Sequence, residues 1–423
     1  MADEPGGVDA PGDPTAPLGR AFWTLVASSG LSNLADGIFK VAMPLVALRY
    51  TRAPSMIAGL EVVRSAPWLL FALQVGALAD RWDRRRTMLA SNIARGALVA
   101  LPVIGVAAGF DSIWLLFVAA AGTGVAEVFH DTSAQSILPA LVPRARLSRA
   151  NGRLYAVELG AQQFAAPPVA GFLVAAAATA AMVGPAALWL LAVSMLWMVR
   201  GSYRPVRASA DSTTIRQDVA EGARFLWGNP MLRVMAVMVG GANLTAAAAF
   251  PLLVLYAVGD ESTLGLDDRG FGILLLAGAV GSLVATVASD PIMRRLGRAR
   301  TLTMSIVTMA LFVGGPALTT DPVVLGALLA VGGFGIMLWN IPTVSFRQSV
   351  TPDHLLGRVN SAYRLLAWGT LPLGAALGGV LAEFLKLPTV FALMGIVNLL
   401  LLIPNRVITD ARLEAAEASA DSS

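Results

Sequence analysis

The sequence predicts an all-α membrane protein of twelve transmembrane helices, arranged as two pseudo-symmetric six-helix bundles. Three observations predict it. Of 423 residues, 56% are hydrophobic and 14% charged, with a mean hydropathy of +0.68; a soluble domain carries about 25% charged residues, so roughly half the usual solvated surface is missing. Apolar runs close to the ~20 residues that cross a ~30 Å hydrocarbon core recur from Phe22 almost to the C-terminus. The chain also repeats itself: Pro143, Leu147, Arg149 and Asn151 align with Pro352, Leu356, Arg358 and Asn360 at the same spacing. Both stretches follow the fourth apolar run of their half, as expected of a duplicated bundle.

In chain order, residues 1–21 are acidic and rich in Pro and Gly. They lack the basic start and short apolar core of a signal peptide and read as a disordered cytoplasmic tail. Spans are predicted at 22–48, 55–79, 87–109, 112–138, 154–178 and 181–199, which form a first bundle over 22–199. A central cytoplasmic loop over 200–230 holds Pro205, a Ser/Thr cluster and the amphipathic stretch Ile215–Trp227. Spans at 231–258, 269–290, 301–319, 322–346, 359–384 and 387–405 form the second bundle, 231–405. Residues 406–423 are a second cytoplasmic tail, of which Glu414–Ser423 resembles the first in composition.

Ionisable residues inside a bilayer cost about 2.5–3.5 kcal/mol each at mid-depth, so each is a functional candidate. Asp36 lies near the middle of the first span, and Lys40 follows one turn later on the same helical face. Such a pair suits proton coupling, because the acid takes a proton when the lysine's partner is exchanged; a permanent pair holding the span in place explains the same residues. The fourth span carries Glu127, His130 and Asp131, and the fifth carries Glu158, Gln162 and Gln163. Asp36, Lys40, Glu127 and Glu158 are the candidates for proton coupling. Arg64 in the second span and Arg95 in the third are candidates to bind an anionic substrate or to neutralise these acids, with Gln162 and Asn243 as further substrate candidates.

Arginine placement sets orientation, since short cytoplasmic loops carry the excess of basic residues. Arg81 and Arg84–Arg86 follow the second span, Arg144, Arg146 and Arg149 the fourth, and Arg294, Arg295 and Arg298 the eighth. The opposite loops hold little beyond Arg49, Arg52, Arg269 and Lys386. Both termini are therefore predicted to be cytoplasmic, in a multi-pass protein of the cell membrane. The pI near 9.8 then reports topology, and no nucleic-acid partner is expected.

The stretch Gly76-Ala-Leu-Ala-Asp80-Arg81-Trp-Asp-Arg84-Arg85-Arg86 resembles the G-x-L-x-D-R-x-G-R-[RK] loop of the major facilitator superfamily, with Asp83 where the pattern has its second glycine. The resemblance implies a gating latch formed by Gly76, Asp80, Arg81 and Arg84, with Asp131 as the acid that Arg84 reaches. Leu138-Pro139 through Pro143, Glu221-Gly222 through Trp227, and Arg347-Gln348 through Asn360 with Tyr363-Arg364 look like the drug and siderophore exporters of that superfamily, the enterobactin- and macrolide-efflux group. This likeness runs from about residue 20 to 405. Gly160-Ala-Gln-Gln-Phe-Ala-Ala-Pro167-Pro168-Val-Ala-Gly171 is similar to the exporters' glycine- and proline-rich antiporter motif, although Ala166 and Ala170 replace two of its glycines; a kinked packing helix accounts for the same residues.

The chain has no cysteine and only two histidines, so no metal or other cofactor is expected. Lysine occurs only at Lys40 and Lys386, and neither ends a phosphate-binding glycine loop, so no ATP is expected. The resemblance implies a proton-coupled exporter of a drug, antibiotic or siderophore rather than an enzyme, working by alternating access in the lipid bilayer and as a monomer. A facilitator-type importer or symporter on the same fold is the alternative.

Overall fold

The computed structural model describes residues 17–79, 82–143, 146–199, 201, 203 and 215–421. Each predicted apolar run coincides with helix. The first set is α1 (Gly19–Ala47), α2 (Pro54–Ala79), α3 (Arg84–Ala107), α4 (Ile113–Leu141), α5 (Leu147–Leu159), α6 (Ala166–Ala176) and α7 (Ala178–Trp197). The amphipathic stretch forms α8 (Ile215–Gly228). Then come α9 (Pro230–Ala249), α10 (Leu253–Ala257), α11 (Asp268–Leu296), α12 (Arg298–Gly314), α13 (Pro322–Val350), α14 (Asp353–Phe384), α15 (Leu387–Leu399), α16 (Leu402–Asn405) and α17 (Asp410–Asp421).

Eight segments among the described residues are long and apolar enough to cross a membrane: α3, α4, α7, α9 with α10, α11, α13, α14, and α15 with α16. The other predicted runs differ for visible reasons. Helix α1 carries Asp36 and Lys40 within its apolar stretch. The fifth run is divided between α5 and α6, and α12 has 17 residues before a 3₁₀ turn at Gly315–Ala317.

Helix starts are written in the sequence. Asp83, Asn229, Asp267 and Asp321 each stand just before a helix, and their carboxylate or amide oxygens accept backbone N–H bonds of 2.8–3.2 Å from the first turn. Asp83 also accepts from the Tyr203 N–H at 2.9 Å, so the residue that departs from the glycine pattern caps α3 and holds the chain beyond α7.

Between α5 and α6 the residues Gly160–Ala165 form a π-helical turn, in which the Ala166 N–H bonds to the Ala161 carbonyl. Pro167 and Pro168 follow at once. A proline removes an N–H and crowds the carbonyl four residues back, and a wider turn relieves both.

Helix α1 packs on α7, α3 on α4 and α7, and α2 on α4, while α13 packs on α11 and α12, α9 on α14, and α12 on α15. Two pairs join these groups: α2 with α14, and α6 with α11. The second contact is very close. A Cβ added at Gly171 would lie 2.5 Å from the Asp268 carbonyl oxygen, and one at Gly272 2.6 Å from that of Pro167, so only glycine fits. Residues of both groups, among them Phe39, Trp189, Tyr256 and Phe391, belong to one buried core.

The tail expectation for Glu414–Ser423 is corrected by α17. Leu413 and Ile408 are buried in a core with α9, α12 and α14 residues. The Arg298 guanidinium grips Glu417 through two bonds of 2.6 and 2.8 Å, and Asp410 accepts the Ala299 N–H at 2.9 Å. Residues 414–421 are helical because neighbouring helices supply what composition alone does not.

Candidate functional site

Three buried charge groups sit at mid-level of α1–α4. Arg95, fully buried on α3, donates to both carboxylate oxygens of Asp36 at 3.0 and 2.9 Å, to Ser32 Oγ at 3.2 Å and to the Ala126 carbonyl at 3.3 Å. Its guanidinium also lies 5.9 Å from the Trp189 ring centre. The expected Asp36–Lys40 partnership is therefore replaced. A planar guanidinium matches a carboxylate with a fixed fork, whereas an ammonium on a flexible stem does not.

Arg64 on α2 is held by two acids. It donates to Glu61 through two bonds of 2.8 and 2.7 Å and to Glu127 on α4 at 2.9 Å. Two carboxylates share one guanidinium, so the group carries one excess negative charge. Glu61 went unnoticed in the sequence, although its position three residues before Arg64 puts both on one helical face. His130 and Asp131 form the third group, Nδ1 to Oδ1 at 3.1 Å.

Lys40 forms no direct bond, although the charges of Glu61 and Glu127 act on it. Among the described residues its ammonium has no hydrogen bond or ion pair, and it lies 6.0 Å from the centre of the Phe250 ring. It faces two cavities of about 230 and about 210 Å³ that share Lys40, Val41, Phe250 and Leu275. Glu61 and Arg64 line the first; Gln162, Gln163 and Pro167 line the second. The chamber thus lies between α1, α2 and the π-helical turn on one side and α9, α11, α12 and α13 on the other.

The two groups of helices are bridged by Arg52, which donates to the Leu255 and Val258 carbonyls at 3.3 and 3.1 Å. There the Ser55 N–H also donates to Glu383 at 3.1 Å. Towards the other end of α2, Trp68 packs edge-on against Trp368 of α14 at 4.5 Å, with the Arg364 guanidinium 4.3 Å from the Trp368 ring.

The remaining candidates scatter. Glu158 is half-buried on α5 with no ion pair among the described residues. Asn243 donates to the Ala367 carbonyl at 2.7 Å, tying α9 to α14 rather than facing the chamber. Gly160 opens the π-helical turn, while Pro167, Pro168 and Gly171 pack against α11. Arg64 and Arg95 are both bonded to acids. Of the latch, Asp80 and Arg81 lie outside the described residues, and Gly76 falls on α2 where only the backbone is described. No ion pair joins Arg84 to Asp131. Arg84 begins α3, and the Asp131 carboxylate lies instead 3.1 Å from His130 Nδ1.

Two of the quoted stretches do meet. Glu221 of α8 pairs with Arg358 of α14, fastening the central helix to the second group. Arg347 donates to Asn360 at 2.8 Å and lies 4.0 Å from the Tyr363 ring centre.

A sequence model of the Major Facilitator Superfamily matches residues 25–371 and again 264–420. The chain belongs to the major facilitator superfamily. It is a multi-pass membrane transporter, not an enzyme. Among superfamily members, it is 25% identical over 398 residues to the multidrug efflux pump Tap of Mycolicibacterium fortuitum, covering 90% of this chain and 92% of that one. It is 27% identical over 387 residues to Tap of Mycobacterium tuberculosis, covering 88% of each. The crystal structure of the nucleoside transporter NupG superposes with a TM-score of 0.66 at 14% identity, covering 92% of this chain and 99% of that one. A bacterial homologue of the iron transporter ferroportin, in an inward-facing state, gives 0.68 at 16% identity, covering 94% and 99%. These two share the superfamily fold.

Proposed function

We propose that this transporter exports small organic molecules such as drugs, antibiotics or siderophores, driven by inward proton flow. Residues 22–199 and 231–405 act as two six-helix halves linked by 200–230, giving twelve crossings with both termini cytoplasmic, and a monomer suffices. The observation that carries the reading is the chamber around Lys40, lined from both groups of helices. A midplane site between two rocking halves is how duplicated-bundle transporters give alternating access. The Tap relatives, named as multidrug efflux pumps, support export.

In this reading the arginine-rich end is cytoplasmic and the Arg52 end faces outward. The latch stretch Gly76, Asp80, Arg81 and Arg84 then lies at the end that opens inward. Glu61 and Glu127 are the first choice for the proton, because a group with one carboxylate in excess becomes neutral by taking one. Glu158 is second, and Asp36 is held by Arg95.

Two measurements test this. In a transporter-null host, expression raises resistance to members of a drug panel, and inside-out vesicles with an imposed pH gradient concentrate the same compounds. Uptake into right-side-out vesicles on proton entry would establish the importer alternative instead. Glu127→Gln is expected to abolish uphill transport while downhill exchange continues; undiminished uphill transport would remove Glu127 from coupling.

A further inference from the structure

We infer that the Lys40 chamber selects amphiphilic substrates that pair a negatively charged group, a carboxylate or sulfonate, with an aromatic body. The inference rests on the reading of this chamber as the transport site and adds the chemistry that it recognises.

The first ground is the state of the charges. Arg95 is satisfied by Asp36, and Arg64 by Glu61 and Glu127. Of these three cations only Lys40 makes no hydrogen bond or ion pair, and it is open to the chamber. Phe250 is at the outer limit of a cation–π contact and provides no hydrogen-bond acceptor. The nearby acids Glu61 and Glu127 act on the Lys40 ammonium across the chamber but accept their bonds from Arg64, so the ammonium has no acceptor of its own. A ligand anion supplies one.

The second ground is the residue type. The chain holds 31 basic residues, and lysine occurs only at Lys40 and Lys386. The other two cations at this level, Arg64 and Arg95, are arginines locked to acids by their planar forks. A compact charge on a flexible stem can follow a ligand between the two lobes of a chamber, which a locked fork cannot. Lys40 stands at the junction of those lobes.

The third ground is the wall. Phe250, Phe271 and Phe312 present aromatic surface, and Gln162 and Gln163 add amides at one side. A mostly apolar pocket with a few polar groups holds the body and orients the head. The excess carboxylate of the Glu61–Arg64–Glu127 group also borders the chamber and would suit a cation. Its acids, however, already accept bonds from Arg64, whereas Lys40 donates none.

The charge of such a substrate also bears on its direction. Moving one elementary charge across the membrane is worth about 2.3 kcal/mol per 100 mV. An anion leaving a cell that is negative inside is driven outward by the potential itself, in addition to any proton that enters.

The test uses two xanthene dyes of similar shape and opposite charge, fluorescein and rhodamine 6G, binding to the full chain in nanodiscs of neutral lipid. The wild type is expected to bind fluorescein more tightly. Lys40→Gln should weaken fluorescein about tenfold or more, the effect of losing one charge-assisted bond, and leave rhodamine 6G unchanged or tighter. Lys40→Arg should retain most of the fluorescein binding, and retained rhodamine 6G binding certifies that each variant is folded. Equal loss of both dyes, tighter binding of rhodamine 6G by the wild type, or no binding of fluorescein would each overturn the inference. Lys40-dependent fluorescein binding by a protein that moves no compound in vesicles would sink the exporter reading and leave this one standing. Drug flux without Lys40-dependent selectivity would do the reverse.

Discussion

At the residue scale the decisive contact is Arg95 with Asp36. A fully buried guanidinium stripped of its carboxylate is an uncompensated charge, which costs about 3–5 kcal/mol, whereas replacing both partners by apolar groups is often close to neutral. Asp36→Asn should therefore lower the thermal stability of the purified protein markedly, and adding Arg95→Met should recover most of the loss. A single variant as stable as wild type, or a double variant worse than the single, would show that the pair does not brace α1. Asp36 and Arg95 were each visible in the sequence as charges inside apolar runs. Their partnership was not, because they are 59 residues apart and the rotation of one helix against another leaves no trace in the spacing. Glu61 was within reach, since its spacing to Arg64 is local.

At the element scale α17 shows how a polar tail becomes structure. Arg298 hydrogen-bonds the Glu417 carboxylate and holds it below the usual carboxylate range. A group whose folded value is depressed stabilises the fold fully above its ordinary value, near 4.5, and loses that contribution as the pH falls from there through the lower folded value. Hydrogen exchange across α17 should accordingly quicken as the pH is lowered below about 4.5, after correction for the intrinsic rate. Glu417→Gln should show the faster exchange already at neutral pH and lose the acid response; an unchanged profile would assign the docking of α17 to Leu413 and Ile408 alone. The sequence offered Ala- and Glu-rich residues that suit a helix, but nothing local marks Arg298, more than 100 positions earlier, as the partner.

At the scale of the molecule the all-helical membrane fold was legible because it rests on local composition. The chamber was not, because it depends on which faces of distant helices meet. The Arg52 end gives the most direct handle on that arrangement. A Cβ built at Gly379 would lie 2.8 Å from that of Ala58 and 3.3 Å from the Ser55 Cα, so α2 and α14 meet here at a separation that only glycine allows. Gly379→Ala should therefore force the two helices apart at this end and lower transport in vesicles without loss of insertion. Transport equal to wild type would mean that the close approach at this end has no part in the cycle.

The π-helical turn sets a matter of phase. An ordinary helix advances about 100° per residue, and one wide turn places an additional residue in the line between α5 and α6. Everything beyond Ala165 is rotated by that angle relative to a regular continuation. Gly171, beyond the turn, reaches the Asp268 carbonyl on account of that offset. A chain one residue shorter here would keep the same composition and the same hydropathy while turning its glycine face away from α11, so the seam between α6 and α11 is specified by arithmetic along the helix as much as by the residues that meet across it.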